Sequence, residues 1–205
     1  MRKVVLLITI LFVSVISTAC INNIAVQELN NKAKEYMANG ETEKAICRLR
    51  SSIDLDDSIF ETHYNLGVAL IADKEYEEAQ TALENAIKLK PDFADSYYSL
   101  AMAFENQADE IVNSVDENKD SDVDKEESLK TEQKKELSDS EKSKIVENYN
   151  AAIDNYNKYL AKNPEAQDKD KITAQIDYIN GQINKYNTER NTDLSDVSTS
   201  PSSEE

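Results

Sequence analysis

The residues best suited to chemistry in this 205-residue chain are oxygen-bearing side chains in an acidic stretch after its midpoint. Four of them alternate along the chain: Asp116, Asn118, Asp120 and Asp122. The carboxylate of Glu127 follows shortly after them. A hard cation such as Ca²⁺ takes about six to eight oxygen ligands, and alternating side chains in a tight loop deliver several from one short segment. The spacing therefore indicates a candidate calcium site.

The same spacing resembles the calcium loop of the EF-hand family. Asp116, Asn118 and Asp120 occupy the first three side-chain ligand positions of that loop, and Glu127 occupies its bidentate position. Ser121 stands where the family has a glycine that makes the turn. The resemblance implies one calcium loop. The alternative is an acidic, solvated segment that matches by chance and binds no metal.

Few other residues in this sequence are suited to catalysis or metal binding. His63 is the single histidine, and it lies one turn before Leu66 on an apolar helix face, where a histidine most often serves packing. The two cysteines are Cys20 and Cys47. They form neither a cluster nor a disulfide framework, and a glycine-rich phosphate loop is absent from the sequence. The sequence therefore predicts that the protein is not an enzyme and has no catalytic residues and no cofactor besides the candidate Ca²⁺.

The amino terminus has the composition of an export signal. Arg2 and Lys3 precede a mostly apolar run, residues 4–16, which is followed by Ser-Thr-Ala and then Cys20. This run is shorter than the roughly 20 residues that a membrane-spanning helix needs, and small residues after it are typical of a cleavage site. The segment predicts a signal peptide at residues 1–19. The alternatives are an uncleaved signal anchor, or ordinary secretion in which Cys20 has no role.

A cysteine directly after the small residues resembles a bacterial lipoprotein signal. The resemblance implies that Cys20 becomes the lipid-modified amino terminus. It also implies an exported protein of the bacterial cell envelope, lipid-anchored at the periplasmic or extracellular side of a membrane. A short tether at residues 20–25 would then lead to the folded part of the chain.

A 34-residue period organises the rest of the chain. Small residues recur at Ala33, Gly67 and Ala101, and large apolar residues recur at Tyr36, Leu70 and Phe104. A second set repeats in the same way, with Ala45, Leu49 and Ser52 followed by Ala79, Leu83 and Ala86. Small residues let two helices approach closely, and Pro91 ends the second helix because proline has no N–H group. The period predicts pairs of amphipathic helices.

These residues and this period resemble the tetratricopeptide repeat. The third copy fits only with an insertion of 39 residues, because four residues follow their counterparts by 73 positions instead of 34. They are Ala152, Tyr156, Tyr159 and Pro164. The resemblance implies an all-α fold, a right-handed superhelical stack of about three helix-turn-helix repeats with a carboxy-terminal capping helix. The third repeat is split by an acidic helical insertion.

The predicted domain boundaries follow from these patterns. The repeat domain covers residues 26–188, with repeats at 26–59, at 60–93 and at 94–108 plus 148–166. The insertion at 109–147 has 14 Asp or Glu residues against 7 Lys, and we expect a helical hairpin with a mobile, solvated loop. A stripe of isoleucines predicts the capping helix at 168–188. The tail at 189–205 is rich in Ser, Thr and Asp and is expected to be disordered.

The charge of the chain argues against nucleic acid as a partner. Without Arg2 and Lys3 the chain has 21 basic and 40 acidic residues, a net charge of −19. Such a charge repels phosphate backbones and anionic lipid surfaces. A link to the membrane would therefore come from the lipid at Cys20.

The resemblance implies a protein or peptide partner, held in the concave groove that the first helices of the repeats line. By repeat position, the groove residues are Asn30, Lys34, Met37, Tyr64, Val68, Ile71, Tyr98, Met102 and Glu105. Tyrosine and methionine among aliphatic side chains suit a binding surface. Asp95 and Ser99 stand where one subgroup of the family binds a terminal carboxylate, so that mode is not expected.

The function that the sequence predicts is a membrane-anchored, non-enzymatic scaffold for protein interaction. Two alternatives stay open. One is a calcium-responsive binding module that uses residues 116–127, and the other is a structural assembly factor that self-associates through its repeat faces.

Overall fold

The computed structural model describes residues 23–116 and 137–197, and these residues form seven α-helices. The helices are α1 (residues 23–38), α2 (Thr42–Leu55), α3 (Phe60–Ala72), α4 (Tyr76–Leu89), α5 (Ala94–Asp116), α6 (Asp139–Lys162) and α7 (Lys169–Val197). No β-strand occurs in these two ranges, and the predicted all-α fold class is confirmed. Within the same ranges, no helix is both long enough and apolar enough to cross a membrane.

The chain divides into two compact units, and the boundary lies inside α5 between Ser99 and Leu100. The first unit contains α1 to α4 and the start of α5. The second contains the remainder of α5 together with α6 and α7. Each unit has its own buried apolar side chains.

In the first unit, the period of 34 residues is a property of the backbone as well as of the side chains. The turns after α1 and α3 hold Gly40 and Lys74 at φ angles of 74° and 64°, in the left-handed region. The N–H groups of Glu41 and Glu75 then donate to carbonyls at the ends of these helices, each at 2.9 Å. This turn satisfies carbonyls that a helix end leaves without partners. Left-handed backbone costs glycine almost nothing and costs lysine about 1 kcal/mol.

Gly67 permits the close approach of α3 to α4. A Cβ atom built on Gly67 would lie 2.4 Å from Cγ of Leu83, closer than two carbon atoms can approach. The side chain of Leu83 is fully buried, and so are its neighbours Ala79 and Ala86 on α4. The space that a larger residue would need at position 67 is therefore filled by the core.

In the second unit, α6 supplies the helix that the third copy of the repeat needs. Ala152, Tyr156 and Tyr159 are all buried, as the repeat pattern predicts. The helix begins with a capping box: the Ser138 hydroxyl accepts from the N–H of Glu141, and the Glu141 carboxylate accepts from the N–H of Ser138. These two bonds satisfy donors that the first turn would otherwise expose.

Two predicted boundaries differ from the helices observed. Residues 23–25, assigned to the tether, already belong to α1, where the amide of Gln27 donates to Asn23 at 2.9 Å. Of the predicted insertion, residues 109–116 belong to α5 and residues 139–147 belong to α6. The tail expected to be disordered from residue 189 is helical as far as Val197, because no glycine or proline interrupts the chain before Pro201. Of the candidate calcium loop, only Asp116 lies within the described residues, as the last residue of α5.

Gly67→Ala is expected to lower the free energy of unfolding by about 1–3 kcal/mol, because the new methyl group must displace Leu83 from a filled core. Urea denaturation followed by circular dichroism measures the change. Gly181→Ala is the matched control, since a Cβ at Gly181 inside α7 meets nothing within 4 Å. It should raise the same free energy by up to about 1 kcal/mol, because alanine favours helix over glycine. A Gly67→Ala protein as stable as the wild type would contradict this account of the α3–α4 contact.

Candidate functional site

A pocket of about 180 Å³ opens between α1, α2 and α3 in the first unit. It is lined by Ala33, Lys34, Met37, Leu49, Tyr64, Asn65 and Val68. Most of these side chains are apolar or aromatic. Pockets that hold a whole small molecule usually measure about 300–1,000 Å³. The pocket is therefore suited to part of a larger ligand, such as one side chain.

Four of the nine predicted groove residues meet in this pocket: Lys34, Met37, Tyr64 and Val68. Because α1 and α3 are the first helices of successive repeats, Lys34 and Val68 occupy the same repeat position. Lys34 is exposed, and the other three side chains are half-buried. The repeat pattern thus located two walls of the pocket from the sequence.

Two polar side chains of the pocket are free to bind a ligand. Neither Lys34 nor Asn65 forms a hydrogen bond or an ion pair with any residue that the structure describes. A lysine ammonium group donates hydrogen bonds, and an asparagine carboxamide both donates and accepts them. Asn65 was not among the predicted groove residues, and its place directly after Tyr64 on α3 is the one sequence signal that points to it.

The ring of Tyr64 is held in place by an aromatic cluster outside the pocket. Tyr64 packs edge-to-face on Phe93, with ring centroids 5.1 Å apart, and Phe60, one turn earlier on α3, packs on the same ring at 5.2 Å. The ammonium group of Lys90 lies 4.0 Å from the centroid of the Phe60 ring. Edge-to-face pairs contribute about 0.5–1.5 kcal/mol beyond burial. This cluster fixes one wall of the pocket, and the contact of Phe93 with Tyr64 was not predicted from the sequence.

Asn30 does not line the pocket, because its side chain turns towards α2 and α3. Its amide nitrogen lies 2.9 Å from the Ser52 hydroxyl, 2.9 Å from the Thr62 hydroxyl and 3.0 Å from the Val26 carbonyl. Its own carbonyl oxygen is buried with no partner among the described residues. Each bond contributes about 1 kcal/mol net, and an unsatisfied buried acceptor costs about 1–3 kcal/mol, so the two effects nearly cancel.

The remaining predicted groove residues lie away from the pocket. Ile71 and Tyr98 are half-buried in the first unit, and Met102 is half-buried in the second. Glu105 in the second unit is 9% exposed, so the expectation of an open groove position does not hold for it. The reason is that α6 and α7 cover it with side chains that bond to its carboxylate.

Tyrosine hydroxyls bond to two carboxylates of the second unit. Tyr156 donates to Glu105 at 2.6 Å, and the amide of Gln175 on α7 donates to the other oxygen of the same carboxylate. Tyr149 donates to Asp109 at 2.6 Å. Burial raises the pKa of the Glu105 carboxyl, and the two hydrogen bonds offset part of that rise. Burial, helped by the Asp109 carboxylate, also raises the pKa of Tyr149, which keeps it a donor.

His63 is buried in a helix, in agreement with the packing role that the sequence predicted. A ring nitrogen of the buried His63 lies 2.8 Å from the carbonyl oxygen of Asp57 and bonds the helix to the preceding turn. Cys47 is a free, exposed thiol on α2. In residues 23–116 and 137–197, no three His, Cys, Asp or Glu side chains are grouped so that they could hold a metal ion.

Comparison with known families identifies the helix pairs. Residues 30–79 match a family model described as the tetratricopeptide repeat, and residues 69–107 match a second model described as a TPR repeat. The two matches together span residues 30–107, so tetratricopeptide repeats are found in that part of the chain. No curated protein matches the chain.

Solved tetratricopeptide domains share the fold of the chain. The first such domain of Spaghetti (RPAP3), bound to the HSP90 peptide SRMEEVD, has a TM-score of 0.52 at 14% identity and covers 76% of this chain and 90% of its own. The second domain of human RPAP3, in complex with the HSP70 peptide SGPTIEEVD, has a TM-score of 0.53 at 13% identity. The match covers 76% of this chain and 98% of that domain. The TPR2B domain of yeast Sti1, in complex with pHsp70, has a TM-score of 0.51 at 15% identity. The match covers 79% of this chain and 98% of that domain. At these identities the likeness shows the fold alone.

Glu105→Gln is expected to change how stability depends on pH. Because the pKa of Glu105 is raised above its ordinary value of 4.5, the folded chain binds this proton at a higher pH than the unfolded chain does. The stability that protonation provides is therefore lost as the pH rises through the raised pKa. The free energy of unfolding of Glu105→Gln, minus that of wild type, should therefore increase from about pH 4.5 to neutral pH, so the variant gains stability relative to wild type. Urea denaturation at each pH measures it, with the exposed Glu110→Gln on the same helix as control. A constant difference across this range would contradict the expectation.

Proposed function

We propose that the chain is a non-enzymatic scaffold that binds an extended segment of a partner protein and inserts one apolar side chain of that segment into the pocket. The observation that carries this proposal is the meeting of Lys34, Met37, Tyr64 and Val68, from two successive first helices, around one small apolar pocket. The peptide complexes among the structures that share the fold support the same class of partner.

The chemistry of the lining restricts the ligand. The apolar walls favour an aliphatic side chain, because burying apolar surface supplies the main driving force for such contacts. The carboxamide of Asn65 is able to bond to the peptide backbone beside that side chain, since it has both a donor and an acceptor with no partner among the described residues. The ammonium group of Lys34, which has no partner among the described residues, adds a donor at the exposed edge.

Peptides selected from a displayed library against the full chain test this binding site. Tyr64→Ala should weaken the selected peptides by about tenfold or more, since a buried aromatic anchor is worth at least about 1.4 kcal/mol. Val68→Phe should weaken them as well, because the larger ring fills the pocket without removing a hydrogen bond. Tyr178→Ala is the matched control, because Tyr178 is an exposed tyrosine on α7. Fluorescence anisotropy measures the affinities, and circular dichroism verifies that each variant is folded.

Two outcomes would contradict the proposal. Peptides that bind Tyr64→Ala and Val68→Phe as tightly as wild type would place the site elsewhere. A wild-type chain that selects no peptide, but whose mass in solution rises with its concentration, would favour the self-associating alternative.

We further propose that the scaffold is anchored to a membrane of the cell envelope by lipid at Cys20. The basic start, the short apolar run and the small residues before Cys20 support this. Cys20→Ser should remove lipid labelling and release the protein from the membrane fraction, whereas Cys47→Ser, the matched control, should change neither. A Cys20→Ser protein that stays in the membrane fraction would contradict the anchor.

A further inference from the structure

The side chain of Asn30 joins the three helices that surround the pocket. From α1, its amide nitrogen reaches Ser52 on α2 and Thr62 on α3, both at 2.9 Å. Ser52 and Thr62 are 0% exposed and Asn30 is half-buried, so these contacts are partly shielded from water. Hydrogen bonds depend strongly on distance and angle. The three helices are therefore held at a defined spacing at this point.

Each of the three bonded residues lies about one helical turn from a residue that lines the pocket. Residues three or four positions apart share a helix face, so a hydrogen bond at one of them restricts the movement of the other. The pairs are Asn30 and Lys34 on α1, Leu49 and Ser52 on α2, and Thr62 and Asn65 on α3. The hydrogen-bonded residues and the residues that line the pocket thus lie on the same three helices.

The equivalent positions of the next repeat, on α3, α4 and α5, form no such hydrogen bonds. Tyr64, Ala86 and Ser96 occupy the equivalent positions, each 34 residues later. The Ser96 hydroxyl is buried and has no partner among the described residues. The hydrogen-bonded cluster is therefore not a requirement of the repeat. It is a feature of the interface that contains the pocket.

Asn30 affects the spacing of the three helices more than it affects the stability of the fold. The carbonyl oxygen of the same carboxamide is buried with no partner among the described residues, which opposes the stabilisation that the two N–H donors of its amide nitrogen provide. Apolar side chains at this position would pack without leaving an acceptor unsatisfied, but apolar contacts tolerate small sliding movements that a hydrogen bond does not.

We propose that Asn30 is a positioning residue for the pocket. Its carboxamide fixes α1 against α2 and α3, so that the pocket has its final width before a partner arrives. Such preorganisation raises affinity because less order must be imposed on binding. The proposal rests on the proposed function of the pocket, yet it is tested without a partner.

Methionine methyl groups provide the measurement. The chain has three methionines, Met1, Met37 and Met102. Met37 lines the pocket together with the ring of Tyr64, and the magnetic field of that ring makes the Met37 methyl resonance sensitive to small movements of the walls. Met102 lies on α5 in the second unit and serves as the internal reference. The full chain is labelled with ¹³C at these methyl groups, and each resonance is assigned by substitution.

Asn30→Leu keeps the size of the side chain and removes its hydrogen bonds. We expect the Met37 resonance to move by more than its linewidth, or to broaden, while the Met102 resonance stays in place. Thr62→Val removes one bond at constant shape and should give a smaller change of the same resonance. Ser96→Ala, at the position equivalent to Thr62 in the next interface, is the matched control and should leave both resonances unchanged.

An Asn30→Leu protein that is folded and has an unchanged Met37 resonance would overturn the proposal, whatever its stability. If Asn30→Leu does not fold, the Thr62→Val result decides, and an unchanged Met37 resonance there overturns the proposal in the same way. The proposed function is contradicted by a different result, namely peptides that bind Tyr64→Ala as tightly as wild type. The two failures can therefore be distinguished.

Discussion

The contact between Gly67 and Leu83 is the constraint on which the first unit depends. A missing side chain at position 67 lets α4 approach α3 so closely that Leu83 fills the space a Cβ would take. One face of α3 is therefore committed to packing, with Leu66 and Leu70 buried beside Gly67. Since helical side chains project in all directions around the axis, the other face of the same helix remains for Tyr64, Asn65 and Val68. The pocket exists because these two faces are separated.

Polar side chains fall into two groups that the structure separates clearly. In the second unit, the carboxylates of Glu105 and Asp109 are already bonded to tyrosine hydroxyls, and such groups serve the fold. In the pocket, Lys34 and Asn65 have no partner among the described residues. A polar group that the fold leaves unsatisfied beside an apolar pocket is the kind of group that recognition uses. This difference, more than composition, distinguishes the candidate site from the rest of this acidic chain.

The sequence could predict the features that depend on local spacing. The recurrence of small and large residues every 34 positions located the helix pairs, the role of Gly67 and four residues of the pocket, because each of these follows from periodicity along one helix. Asn30 could not be placed by the same reasoning. Its repeat position is also that of Tyr64, and the different behaviour of the two side chains comes from partners on other helices, Ser52 and Thr62 for Asn30 and Phe93 for Tyr64.

Long-range packing accounts for the other differences. Glu105 has the repeat position of Met37 and Ile71, so the pattern placed it on the groove. It is buried because Gln175, 70 residues later in the sequence, bonds to it from α7. Periodicity does not report which side chains a later helix will cover, and composition did not show that α7 continues to Val197.

The most direct test of the central claim is the detection of intermolecular nuclear Overhauser effects in the complex of the full chain with a selected peptide. The account predicts contacts between the Met37 methyl group and an aliphatic side chain of the bound peptide, because that side chain occupies the pocket. A saturated complex in which the peptide shows no contact to Met37, or contacts only Met102, would contradict it.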